Sequence, residues 1–433
     1  MLDKCFSFIL AYPSSVVSQI LKEFSPSRDA LILDPFCGTG TTLVECKRRG
    51  FRSIGIDANP VCTLATRAKT QWGLKESKVH SELEQVLGPA RRQYKVFESV
   101  RLAEKERGKY LHPSKWKTFR DLRQGRYVLS SGLLKRGWIS PRPALKCLLI
   151  VKNIEKCQDT AIKELLLVSL LGLLVPEFSN MKYGPEIYCS RKRLDADVFT
   201  IYRKRVKELL SSIAHHRSIH VGADSSVIIG NSLDNALLRL DPESISHIIT
   251  SPPYPAEHDY TRMTRLELAF GGFVEGDVDL QGIKRNMVPC SSKSSYIDQK
   301  YFEHVKRFSS VRRIKQQVLD ASVGKDHGFA KVYPRLVGDY FGAMFLHFRA
   351  LHRILKPGAR CAYVVGDQSS FFGVHIQTAD ILQRMLKSKQ LGFEVTGVEV
   401  LRNRHGTTSK SVRRLPETIL YFKKPLNRVM AHA

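Results

Sequence analysis

The chain has 433 residues, of which 43% are hydrophobic, enough for a sizeable core in roughly two or three domains. Lys and Arg number 69 against 41 Asp and Glu, so the net charge is +28. This excess favours a polyanionic partner, most simply nucleic acid, with a basic, well-solvated surface as the alternative interpretation. The nine cysteines form no C-x-x-C pair, which predicts reduced thiols with neither a disulfide framework nor a metal site.

No signal peptide is evident, and no apolar stretch reaches the roughly 20 residues that a membrane helix needs. These observations predict a cytoplasmic protein without a membrane span, nucleoid-associated if the source is a prokaryote. The first predicted elements are a loop at Tyr12-Pro13 and an amphipathic helix that runs to Phe24.

A buried strand over residues 30–34 is predicted to end in Asp34, followed by a glycine-rich turn and the start of a helix. Gly38 and Gly40 allow a ligand to approach the backbone closely. A dinucleotide fingerprint would need a third glycine where Leu43 stands, and a phosphate-binding P-loop would need a lysine that is absent. Both of these familiar sites are therefore excluded.

The next predicted strand, residues 52–57, ends in Asp57. An acidic residue at the tip of a second strand is how nucleoside-binding folds hold ribose hydroxyls. Without a pyrophosphate site, the predicted ligand is a nucleoside that lacks phosphates, and S-adenosylmethionine fits this description.

Residues 71–222 are too long for an ordinary loop and predict a largely helical insertion, including helices over 161–175 and 197–216. Within it, residues 101–127 mix many basic residues with aromatic ones. That mixture suits contact with phosphates plus base stacking, and a solvated helical face with a few core aromatics is the equally weighted alternative.

A second strand tip is formed by Ile248-Ile249-Thr250, which runs directly into Ser251-Pro252-Pro253-Tyr254. The two prolines end the strand, so the chain leaves the sheet at its carboxyl edge, where open α/β sheets bind their ligands. A planar base with an exocyclic amine suits this motif: Tyr254 stacks on the ring, while the Ser251 hydroxyl and the Pro252 carbonyl accept the amine hydrogens. A plain proline turn is the alternative interpretation.

The remainder predicts a polar, basic second insertion at about 271–335, a helix over 340–355, a strand over 362–367, a helix over 378–389, and strands over 393–401 and 418–422. The basic stretch 402–414 suits either phosphate contact or a solvated hairpin tip. His258 is weighed as a general base against a spacer residue, and Cys290 as a nucleophile against a buried thiol; the second interpretation is favoured in both cases.

Taken together, Asp34-Pro35-Phe36-x-Gly38-x-Gly40-Thr41-Thr42 and Ser251-Pro252-Pro253-Tyr254 resemble the two signature motifs of the amino-methylating DNA methyltransferases. Ser-Pro-Pro-Tyr is the form typical of the cytosine-N4 branch. The resemblance implies an α/β, Rossmann-like methyltransferase fold that uses S-adenosylmethionine and carries a mostly helical insertion. The implied domains are a first methyltransferase part at 1–70, the insertion at 71–222 and a second part at 223–433.

Carried over to this sequence, the family pattern also implies roles for single residues. The methionine part of the cofactor would be surrounded by Asp34, Phe36, Gly38 and Gly40, with Thr41 and Thr42 near the helix start and Tyr12-Pro13 closing over that end. Asp57 would bind ribose and Asn231 would lie near adenine, although the family often has an acid at the latter position. Ser251, Pro252, Pro253 and Tyr254 would hold the target base.

The implied reaction is direct methyl transfer to the N4 amine of cytosine in double-stranded DNA, with the base flipped out of the duplex. A cognate restriction endonuclease is a further expected partner. The alternatives are adenine-N6 methylation, an RNA amine methyltransferase, and a non-catalytic nucleic-acid-binding protein with a decayed cofactor site.

Overall fold

The computed structural model describes Phe6 and residues 12–106, 116–184, 187–190, 192–219, 223–233, 236–325, 329–408 and 411–426. Residues 107–115, in the middle of the predicted basic and aromatic stretch, lie outside this part of the chain. Two compact units are present: Tyr12–Asn59, Ala223–Asp259 and Ile283–Ala433 form the sheet unit, while Met1–Ala11, Pro60–Gly222 and Tyr260–Gly282 form the helical unit.

The described strands, in chain order, are β1 (Leu31–Asp34), β2 (Arg52–Asp57), β3 (Met181–Lys182), β4 (Tyr188–Cys189), β5 (Ser225–Ile229), β6 (Ile245–Thr250), β7 (Leu355–Gly366), β8 (Glu394–Thr408) and β9 (Ser411–Lys423). The α-helices are α1 (Ser14–Phe24), α2 (Thr41–Arg48), α3 (Pro60–Thr70), α4 (Glu76–Glu106), α5 (Lys117–Asp121), α6 (Arg123–Ser130), α7 (Pro141–Ile154), α8 (Thr160–Leu173), α9 (Val198–Ile219), α10 (Tyr260–Met263), α11 (Arg265–Phe270), α12 (Asp277–Arg285), α13 (Ser309–Ser322), α14 (Tyr333–Ile354) and α15 (Thr378–Leu386).

The sheet unit is built on a seven-stranded sheet with the order β5-β2-β1-β6-β7-β9-β8. All neighbours pair in parallel except β9, which is antiparallel to both β7 and β8. The strand order reverses between β1 and β6, which makes the carboxyl ends of these two strands the switch point where open α/β sheets bind ligands. The predicted Rossmann-like fold is confirmed by this topology.

Apolar side chains explain why these segments form the central strands. Ile32, Leu33, Ile248 and Ile249 are completely buried, as expected for parallel strands that are covered on both faces. One face packs on a core that includes α14, and the other packs on α1 through residues such as Val17. The helix predicted at 340–355 begins earlier, at Tyr333. Pro334 fits in its first turn because a backbone N–H at that position would have no partner within the helix.

Two further segments of the sheet unit differ from the predictions. Residues 309–322, expected within a polar insertion, form α13, and its Val311, Ile314 and Val318 are buried in the core beside α14. Their i, i+3, i+7 spacing gives the helix one apolar face. The basic residues of the same segment made its overall composition polar, so the helix was not predicted. The last two strands are also longer than predicted, with β8 running to Thr408 and β9 starting at Ser411.

The helical unit contains the two helices predicted near 161–175 and 197–216. They are α8, whose start is capped by the Asp159 carboxylate on the N–H groups of Ala161 and Ile162, and α9. No helix within the described ranges is long and apolar enough to cross a membrane.

The described aromatic residues of the stretch 101–127 do not form an exposed stacking surface. Trp116, Phe119 and Tyr127 are all buried, whereas Arg123 and Arg126 are exposed. This arrangement favours the interpretation of a solvated basic face with core aromatics, while Tyr110 lies outside the described residues.

Candidate active site

The site begins at Asp34, the last residue of β1, whose side chain is only 1% exposed. One carboxylate oxygen accepts from the Phe36 N–H at 3.1 Å and the Thr250 hydroxyl at 2.5 Å. The other accepts from the Thr42 hydroxyl at 2.5 Å. Burial raises the pKa of Asp34 to about 6, and these hydrogen bonds oppose that rise.

Gly38 and Gly40 shape the turn after β1. Their φ values of 51° and 87° lie in the left-handed region, which a side chain would strain. A Cβ placed on Gly38 would meet no atom within 4 Å, so the turn borders open space at this point. Gly40 precedes the first residue of α2, Thr41, and no described side chain caps this helix start. Such helix starts attract negatively charged groups through their backbone N–H groups.

Asp57 closes the same turn from the neighbouring strand. Its carboxylate accepts from the Gly38 N–H at 2.9 Å and from the Asn59 N–H at 2.8 Å. Burial raises the pKa of this half-buried acid to about 6, although both backbone hydrogen bonds lower it. Each carboxylate oxygen has a second lone pair, so Asp57 can still accept hydrogen bonds from ribose hydroxyls.

Tyr12 reaches the site from the chain before α1, where Pro13 is the residue preceding the helix. Its hydroxyl donates to Asp34 at 3.5 Å and forms a short hydrogen bond with the Thr42 hydroxyl. Burial and the nearby charge of Asp34 raise the pKa of Tyr12 well above its ordinary value. Tyr12 therefore lies beside Asp34, and its closing over the methionine end of the cofactor stays a prediction.

Phe36 and Asn231 complete the predicted cofactor set. The half-buried Phe36 ring lies 4.8 Å from the His347 ring, measured between centroids. Asn231 follows β5, and its side-chain oxygen accepts from the Leu233 N–H at 2.8 Å. That bond fixes the side chain in a tight turn. Because β5 pairs in parallel with β2, the end of β5 lies next to Asp57, the last residue of β2.

The motif Ser251–Tyr254 leaves β6 immediately after Thr250. The Ser251 hydroxyl lies 3.2 Å from the Tyr254 hydroxyl, which in turn donates to Glu417 on β9 at 3.2 Å. Pro252 is buried, whereas Ser251, Pro253 and Tyr254 are half-buried. The motif is thus bound to a strand two positions away in the sheet.

Several residues of this region were not predicted from the sequence. Thr250 joins the two motifs through Asp34, and Glu417, 4% exposed, joins Tyr254 to Arg402 by a 2.5 Å ion pair. His347 is fully buried between the Ser232 carbonyl and the Tyr363 hydroxyl, at 2.7 and 2.6 Å. The available signal was an acid just before the apolar run 419–422 of β9 and a histidine on the apolar face of α14.

The structure disfavours Cys290 as a nucleophile. Its side chain is 2% exposed, and burial raises the thiol pKa far above its ordinary value, so the reactive thiolate is suppressed. The Sγ atom lies 3.5 Å from the His258 carbonyl oxygen. Two residues after Cys290, Ser292 binds the loop that follows Tyr254: its N–H and its hydroxyl both donate to Glu257.

The observed geometry fits S-adenosylmethionine. The open space at Gly38, the helix start behind it and the half-buried Asp57 would match a nucleoside that carries an amino-acid carboxylate rather than phosphates. Among the described residues, no group of three or more His, Cys, Asp or Glu is placed to hold a metal ion.

Comparison with known proteins agrees with this geometry. The N6/N4 methyltransferase family model, described as DNA methylase, matches residues 6–67, which include the glycine turn and Asp57. The chain is 24% identical to the Type II methyltransferase M.BsoBI of Geobacillus stearothermophilus, over 96% of this chain and 84% of that enzyme. It is 23% identical to the Type II methyltransferase M.AvaI of Nostoc sp., over 97% of this chain and 86% of that enzyme.

A third relative covers less of the chain. The Type II methyltransferase M.MjaII of Methanocaldococcus jannaschii is 24% identical over 53% of this chain and 55% of that enzyme. The topology, the two adjoining motifs and these similarities together support the amino-methyltransferase family, whose members modify the exocyclic amines of DNA bases, as the one that this chain resembles.

Proposed function

We propose that the protein is a site-specific DNA methyltransferase that methylates the N4 amine of cytosine in double-stranded DNA. The observation that carries the proposal is the hydrogen bond from Thr250 to Asp34 at 2.5 Å. It joins the cofactor turn to the residue immediately before Ser251, so a methyl donor and a base bound at these two positions are neighbours. The similarity to enzymes named Type II methyltransferases supports action at defined DNA sites.

The motif Ser251–Tyr254 provides the groups that an exocyclic amine needs. The lone pair of such an amine is delocalised into the ring and attacks poorly. The Ser251 hydroxyl and the Pro252 carbonyl accept the two amine hydrogens, which favours a pyramidal and more nucleophilic nitrogen. Tyr254 stacks against the ring, and its hydroxyl is fixed by Glu417 at 3.2 Å. The choice of cytosine rests on the resemblance, because a serine at the first position is the form typical of the cytosine-N4 branch.

The cofactor pocket is assigned to residues already described. S-adenosylmethionine, when bound, supplies an electrophilic methyl group. Asp57 holds the ribose, Asn231 lies near the adenine, and the turn at Gly38–Gly40 with the start of α2 receives the amino-acid end. Tyr12 covers that end beside Asp34. The protein contributes rate mainly by aligning the two reactants, so no covalent enzyme intermediate is needed.

A base paired within a duplex does not expose its amine to the sheet edge, so the target base must leave the stack to reach Tyr254. The net charge of +28 suits a DNA partner whose phosphates must be neutralised. A cognate restriction endonuclease is a proposed second partner of the same DNA site, in line with the Type II names of the relatives.

The deciding experiment incubates the purified protein with duplex DNA and methyl-labelled S-adenosylmethionine, then identifies the modified nucleoside by mass spectrometry. We expect N4-methylcytosine. N6-methyladenine would contradict the choice of base and keep the family. Activity on tRNA without activity on duplex DNA would favour an RNA methyltransferase. Failure to bind the cofactor in calorimetry would favour a non-catalytic binding protein.

A pair of variants separates the two parts of Tyr254. Tyr254→Ala removes the ring as well as the hydroxyl, and we expect kcat/KM to fall by about 10- to 100-fold, since stacking of a base on an aromatic ring contributes about 1–3 kcal/mol. Tyr254→Phe retains the ring and is the matched control, with a loss of only a few-fold. Equal turnover of Tyr254→Ala and the unmodified enzyme would refute this assignment.

A further inference from the structure

The last two strands extend beyond the sheet at the catalytic edge. The β7–β9 ladder ends at the pair Gly366–Glu417, whereas the β8–β9 ladder continues through six further pairs, from Asn403–Pro416 to Thr408–Ser411. We call the paired residues 403–408 and 411–416 the ribbon. At about 3.3 Å per residue, the ribbon projects roughly 20 Å past β7. Because β6 and β7 are parallel, it projects from the edge at which Ser251 leaves β6.

The root of the ribbon is connected to the base-binding motif. A register irregularity between Val400 and Arg402 falls where β7 ends, and such bulges bend a strand and increase its twist. Arg402 then pairs with Glu417 at 2.5 Å, and Glu417 accepts the Tyr254 hydroxyl. The ribbon therefore starts one side chain away from the proposed target base.

The composition of this segment differs from that of the sheet. Between Val400 and Pro416 the sequence contains no Asp or Glu, and its basic residues are Arg402, Arg404, Lys410, Arg413 and Arg414. Of these, Lys410 lies outside the described residues, while Arg402 and Arg414 are exposed. A two-stranded ribbon without a third strand is marginal on its own, and the sequence of this one contains basic residues and no acidic residue. A polyanion is the ligand that complements such a surface.

We propose that the ribbon is a DNA-binding element that lies in the major groove beside the target base, an inference that rests on the proposed function. The major groove of B-DNA is about 12 Å wide and admits a two-stranded β-ribbon. The positive charge of the ribbon neutralises DNA phosphates, and the Arg402–Glu417–Tyr254 contacts connect this binding to the pocket that receives the base.

The test compares two double variants with the unmodified protein. Arg404→Gln with Arg413→Gln removes two positive charges from the ribbon. Lys387→Gln with Lys389→Gln is the matched control, because these exposed lysines lie between α15 and β8 at the opposite edge of the sheet. Binding of a fluorescent DNA duplex is followed by anisotropy at several salt concentrations, and cofactor binding by calorimetry.

We expect the ribbon variant to bind DNA at least about 10-fold more weakly and to lower the slope of log affinity against log salt by about 2, since each phosphate contact contributes about 0.9. The control should bind DNA close to the unmodified protein, and all three should bind S-adenosylmethionine equally. A second variant replaces residues 405–414 by Asn-Gly, which closes a two-residue hairpin between Arg404 and Leu415. This variant should weaken DNA binding, and lower the slope of log affinity against log salt, by more than the double arginine variant does.

The possible failures are distinguishable. An unmodified protein that binds and methylates DNA, with ribbon variants equal to the lysine control, would overturn the ribbon proposal and leave the function standing. An unmodified protein that binds no duplex DNA would overturn both. Ribbon-dependent binding of structured RNA that duplex DNA does not displace would assign the ribbon to RNA and contradict the proposal.

Discussion

The Thr250 hydroxyl donates to Asp34 Oδ1 at 2.5 Å, which joins the last residue of β6 to the last residue of β1. Both side chains are buried, so the bond is protected from water. Asp34 also accepts from Thr42 in α2. One carboxylate thus holds together the turn that follows β1, the helix α2 and the strand that runs into Ser251–Tyr254.

Asp34 gives the first prediction, which concerns stability and pH. Because burial raises its pKa from 3.8 to about 6, the fold favours the protonated acid. This contribution is present below pH 3.8 and is lost as the pH rises through about 6. Relative to Asp34→Asn, the unmodified protein should lose roughly 3 kcal/mol of unfolding free energy between pH 4 and 7. Urea unfolding across this range measures it, and parallel pH profiles would contradict the expectation.

His347 predicts the opposite sign. Burial lowers its pKa from 6.5 to about 4, so the fold favours the neutral ring between Ser232 and Tyr363. The stability it contributes is present above pH 6.5 and is lost as the pH falls through about 4. Between pH 6.5 and 4, the unfolding free energy of the variant His347→Gln should therefore fall by about 3 kcal/mol less than that of the unmodified protein. The variant also loses packing, but by the same amount at every pH. Thermal unfolding at pH 4 to 7 tests this, and an unchanged acid slope would refute it.

Asp57 should determine cofactor affinity. In Asp57→Asn the carboxylate that accepts from the Gly38 N–H, the proposed ribose ligand, loses its charge. Hydrogen bonds to charged groups contribute about 1.5–3 kcal/mol, so the Kd for S-adenosylmethionine should rise about 10- to 100-fold. Calorimetry measures it, with Asp224→Asn as the matched control, since Asp224 is an exposed acid just before β5. Duplex DNA affinity should not change. Equal cofactor affinity in both variants would exclude Asp57 as the ribose ligand.

Glu417 should act as a positioning residue for Tyr254. Glu417→Gln retains an acceptor for the Tyr254 hydroxyl and loses the ion pair with Arg402, whereas Glu417→Ala loses both. We expect kcat to fall a few-fold for Ala, as in Tyr254→Phe, and less for Gln, with cofactor Kd unchanged, because small errors of alignment slow group transfer.

The control for this series is Glu399→Gln on β8, whose exposed carboxylate accepts from Tyr421 instead of Tyr254. It should retain full activity. Single-turnover assays separate the chemical step from DNA binding. A change in KM for DNA with kcat unaffected would show that Glu417 acts on DNA binding rather than on the orientation of Tyr254.

The sequence by itself determined the class of fold and the two motifs at the strand ends. Continuous apolar runs that stop at Asp34 and Thr250 specify buried parallel strands, and the prolines after Thr250 force the chain out of the sheet. Gly38 and Gly40 predict a turn with left-handed residues, and the backbone adopts it. These features are local, since strand termination and backbone conformation depend on a few adjacent residues.

Only the tertiary structure decided which distant side chains meet. Glu417 contacts Tyr254 because β9 inserts between β7 and β8 in the antiparallel sense, and His347 reaches Ser232 because α14 covers that face of the sheet. Hydrophobic periodicity says that a strand or helix exists and which face is apolar, but the partner of each face is set by packing across the whole core. The burial of Trp116 is decided in the same way, since the centroid of its ring lies 4.5 Å from that of Phe97 in α4.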